Sequence, residues 1–77
     1  MERVLITEVI RDRYDFFAAL GRIHQCGRPA PANLDDMADF LRGLGVQSII
    51  AARMEMELAD FAAVSEVLDD VGIALLR

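Results

Sequence analysis

The chain contains no lysine and no tryptophan, and only one cysteine, one histidine, one tyrosine and two prolines. Each scarcity excludes something. A single thiol, Cys26, cannot build an intramolecular disulfide framework. His24 and Cys26 stand two apart, yet zinc takes three or four ligands and the sequence holds no second His or Cys. A Cys–His nucleophile pair fares no better, because residues two apart on a helix point to different sides. There is no glycine-rich phosphate loop and no EF-hand spacing of acids. No run approaches the roughly 18 uncharged apolar residues of a membrane helix. Met1-Glu2-Arg3 opens with an acid, unlike the basic start of a signal peptide. The expectation is a cytoplasmic chain with no cofactor, no metal site and no catalytic residue.

What is present is apolar surface and negative charge. Hydrophobic residues make up 55% of 77 positions, and the formal net charge is −5. A chain this short buries roughly 60% of its unfolded surface, so its own core is marginal. With disulfides excluded, self-association is the expected aid, and a two-fold homodimer is the commonest form. The charge is unevenly placed. Residues 1–28 carry five arginines and four acids, whereas residues 29–77 carry three arginines and nine acids. That balance opposes nucleic-acid binding, which draws its affinity from neutralised phosphates.

Pro29-Ala30-Pro31-Ala32-Asn33, preceded by Gly27, is the one clear loop. It divides a single domain, 1–77, into an N-terminal helical element (2–26), a loop (27–33) and a helical block (34–72). Val4-Leu5-Ile6-Thr7-Glu8-Val9-Ile10 is rich in β-branched residues and admits an edge strand as the lesser reading. Leu5, Val9, Phe16, Leu20 and Ile23 also fit one helical face, with Asp15 placed to cap a helix over Phe16–Gln25. After the loop, Asn33 is a good N-cap and Asp35 and Asp36 suit a first turn. Leu34, Met37, Ala38 and Leu41 follow at i, i+3, i+4, i+7, and Gly43 with Leu44 fits a Schellman-type ending. Ser48 is placed to cap the next helix.

From Val46 to Val71 the chain runs without glycine or proline. Ile50, Met54, Leu58, Phe61, Val64, Leu68 and Val71 recur there at spacings of three and four, which predicts a helical stretch over about 48–71, either unbroken or pausing near Asp60 as a second cap. The fold expected is all-α, a small bundle of three to four helices, dimeric through part of that stripe. Neighbouring acids such as Asp35 and Asp36, or Glu55 and Glu57, do not converge on a helix and read as solvated faces.

Two segments resemble known families. Phe61-Ala62-Ala63-Val64-Ser65-Glu66-Val67-Leu68-Asp69-Asp70-Val71-Gly72-Ile73-Ala74-Leu75 is similar to the closing helix of lambda-repressor (Xre-type) antitoxins. Ala38-Asp39-Phe40-Leu41 with Leu44-Gly45-Val46 resembles their scaffold helix and turn. That resemblance implies a helix from Ser48 to Leu58 in the DNA major groove, with Gln47, Ser48 and Arg53 as contact residues. Leu44-Gly45-Val46-Gln47-Ser48-Ile49 resembles the phosphopantetheine-bearing turn of carrier proteins, which implies Ser48 as the modified residue.

The function expected first is a small acidic helical module that binds another protein. Its interface is Ile50, Met54, Leu58, Phe61, Val64 and Leu68, with Phe16, Phe17 and Leu20 packing from the N-terminal element. The acidic surface suits a basic protein partner.

Overall fold

A computed structural model describes residues 2–23 and 29–76. Its first element is a strand, β1 (Glu2–Ile10), followed by helices α1 (Arg13–Ile23) and α2 (Leu34–Arg42). A second strand, β2 (Val46–Met54), a third helix, α3 (Leu58–Asp70), and a short strand, β3 (Ala74–Leu76), complete the order. The three strands form one parallel sheet in the order β1-β2-β3. The fold is therefore α/β, and the all-α bundle expected from helical spacing is corrected.

Two elements account for the difference. The β-branched run of β1 behaves as β-branched residues do, packing on a pleated surface. The glycine-free run from Val46 to Val71 is not one helix. Val46–Met54 is extended, Glu55-Met56-Glu57 is the connection, and only Leu58–Asp70 is helical. Strands of parallel sheets carry apolar residues on both faces more often than alternating strands do, so the two-residue period that marks a strand is blurred. In VQSIIAARM that run happens to match helical spacing, and Ala, Arg and Met supply helix formers.

Caps set the helix boundaries. Asp12, not Asp15, starts α1: its Oδ1 accepts the Asp15 N–H at 2.9 Å, and Asp15 Oδ2 accepts the Arg11 N–H at 3.0 Å. Asn33 starts α2 in the same way, accepting the Asp36 N–H at 2.8 Å while Asp36 accepts the Ala32 N–H at 3.3 Å. Each pair satisfies backbone donors that a helix start otherwise leaves unmet. Gly43 ends α2 in an αR conformation (φ −81°), so the Schellman ending expected there is absent. It occurs at the end of α3 instead. Gly72 (φ 78°) donates to the Asp69 carbonyl at 3.1 Å and Ile73 to the Leu68 carbonyl at 2.8 Å. The chain then enters β3.

The core lies between the helical layer and one face of the sheet. Val4, Ile6 and Ile10 of β1 and Ile49 and Ala51 of β2 meet Phe16, Phe17 and Leu20 of α1, Met37, Phe40 and Leu41 of α2, and Val64 and Leu68 of α3. Register aligns Val4, Ile49 and Leu75 across all three strands as the innermost row. Val64 and Leu68, expected at an interface, are 0% and 1% exposed and belong to this core. His24 and Cys26 lie outside the described residues.

Gly21 shows how closely the layers fit. A Cβ placed there would lie 2.6 Å from the Ala30 Cβ and 2.9 Å from its Cα. Inside a helix, glycine to alanine is ordinarily worth close to 1 kcal/mol in favour of alanine. Here the overlap with backbone outweighs that gain. Gly21→Ala is expected to destabilise the fold by about 1–3 kcal/mol; urea unfolding should show a lower midpoint, and a raised midpoint would contradict the packing.

Candidate interaction face

The strands alternate. Along β1, Val4, Ile6 and Ile10 point into the core, whereas Arg3, Leu5 and Thr7 are exposed and Val9 is half-buried. Along β2, Val46, Ile49 and Ala51 are buried, and Ser48 and Ile50 are half-covered. Two irregularities in the β1–β2 register adjust this alternation, one between Glu2 and Arg3 and one between Ile6 and Val9. The three helices form a single layer, with α3 contacting both α1 and α2. One face of the sheet is thus covered and the other is open.

Register lays out the open face in rows. Leu5 pairs with Ile50 and Ile50 with Leu76, giving an aliphatic row across the whole sheet. Leu5 is 58% exposed and Leu76 49%. On one side of this row lie Arg3, Ser48 and Ala74; on the other lie Thr7 and Ala52, then Val9 beside Arg53. Adjacent strands lie about 4.8 Å apart, so the aliphatic row spans roughly 10 Å between its outer backbones.

Glu8 bonds to Arg22 of α1 and so belongs to the helical side. The other ion pairs among the described residues are Arg13 to Asp60 at 2.9 Å and Arg42 to Asp39 at 3.3 Å. Arg3 and Arg53 take no part in them. Of the acids behind the net charge, Asp35, Asp36 and Asp39 of α2 and Glu66, Asp69 and Asp70 of α3 are exposed on the helical layer, and Glu55 and Glu57 are exposed in the connection after β2. Arg3 is exposed beside the apolar row.

The residues singled out from sequence are scattered by this fold. Ile50 stands at the centre of the open face. Met54 ends β2 half-buried against the core, opposite Ile10. Leu58, the first residue of α3, is 82% exposed, and Phe61 is half-buried one turn on. With Val64 and Leu68 in the core on the far side of the sheet, the six do not form one surface. Gln47, Ser48 and Arg53, which the helix-turn-helix resemblance places on a groove-reading helix, all stand in strand β2. Ser48 belongs to the open face, Arg53 is exposed opposite Val9 past the second register shift, and Gln47 is the extra residue at the first. Leu5, Leu76 and Arg3 were not singled out from sequence. A signal existed for Leu76: the apolar run Ile73–Leu76 directly follows a helix and Gly72.

At the carboxyl ends of the strands, where open α/β sheets hold ligands, Glu55 and Glu57 are exposed and three other acids have structural partners. Asp12 and Asp15 cap α1, and Asp60 joins the first turn of α3 to Arg13 of α1. Strand order here never reverses, so there is no switch-point crevice. No group of three or more metal-ligating side chains occurs among the described residues. Among them, too, no helix is long and apolar enough to cross a membrane. No family model, curated protein or solved structure matches the chain.

Two truncations separate the faces. Ile49→Ala, on the covered side, should cost about 2–5 kcal/mol, as buried Ile-to-Ala changes do. Leu5→Ala, on the open side, should cost less than about 1 kcal/mol. Equilibrium denaturation of the two variants checks this, and equal losses would mean that the open face is not open.

Proposed function

We propose that the chain is a protein-interaction module that binds through the uncovered face of its sheet. One observation carries the reading: the aliphatic row Leu5–Ile50–Leu76, exposed at Leu5 and Leu76 and half-covered at Ile50, stands on an all-parallel sheet. Parallel sheets occur almost only where both faces are covered. The helical layer here covers one face and no described residue covers the second, which favours a cover supplied by binding. Apolar surface at the centre with polar groups at the margin is the common anatomy of a protein interface.

The acids described above serve as helix caps and ion-pair partners, which favours binding over catalysis as the role of this surface. A single cysteine and the absence of any described spanning helix fit work in the cytoplasm. Net charge alone suggests a basic partner, but most of the acids responsible for it lie on the helical layer. The character of the partner follows from the face itself.

Site-directed photo-crosslinking in the cells that produce the protein tests the reading. Leu5 replaced by p-benzoylphenylalanine should yield a discrete protein adduct. The same replacement at Asp36, on the helical layer, should not, and Ile50→Lys should abolish the adduct from position 5. No adduct at position 5, or equal adducts from both positions, would count against this function. An adduct at twice the chain's 8.5 kDa would identify a second copy of the protein as the partner.

A further inference from the structure

We draw no further inference here: the strongest candidate, the open face of the sheet along Leu5, Ile50 and Leu76, belongs to the site already described, and nothing in the structure shows what covers it.

Discussion

Everything in this molecule depends on β2 sitting between two parallel neighbours. Parallel strands cannot be joined by a tight hairpin, so each pairing requires a crossover that returns the chain to the starting end of the sheet. Helices α1 and α2 make the first crossover and α3 makes the second. Both land on the same side, as their mutual contacts show. From that single constraint follow the buried row Val4–Ile49–Leu75, the filled core behind it and the bare row Leu5–Ile50–Leu76 in front. A core and an exposed apolar face are two consequences of one topology. Advancing the strand order always in one direction stacks every helix on one side.

The economy of the covered side is consistent with a small chain near its stability limit. Both α1 and α2 begin with an acid or amide that accepts an N–H from the first turn, answered by an aspartate that reaches back. The turn from α3 into β3 satisfies two carbonyls through Gly72 and Ile73. No buried polar or charged residue is found among those described. Such caps contribute roughly 1 kcal/mol each, which matters where the net stability of a domain is only a few times that. The partly buried Arg13–Asp60 pair ties the starts of α1 and α3 together at the carboxyl end of the sheet. Its value is more in orientation than in energy, since such pairs are worth less than about 1 kcal/mol.

The helices were legible in the sequence wherever a cap and a stop enclosed them. Asn33, the acids after it and the apolar spacing through Leu41 define α2 closely, and Gly72 marks the end of α3. The strands were legible only in composition. Strand β1 carries β-branched residues on both sides because one face lies in the core and the other awaits a cover, so it lacks the alternation of a half-solvated strand. Strand β2 misleads more deeply. Ile50 and Met54 join the helical stripe of α3 at a spacing of four, and Glu55-Met56-Glu57 contains none of the residues that usually mark a connection. Local pattern could not separate strand from helix there, because tertiary pairing with β1 decides it. The order of helix, glycine and apolar run at Gly72-Ile73 was the better guide. It describes a return to the sheet.

The same ambiguity bears on the interaction face. A strand destined for burial on both sides is apolar on both sides, and this chain writes β1 and β2 in that manner while covering only one of them. Were the open face meant for water, Leu5, Val9, Ile50 and Leu76 would be costly choices. Polar residues at those positions would keep the sheet hydrogen-bonded and lower the risk of aggregation.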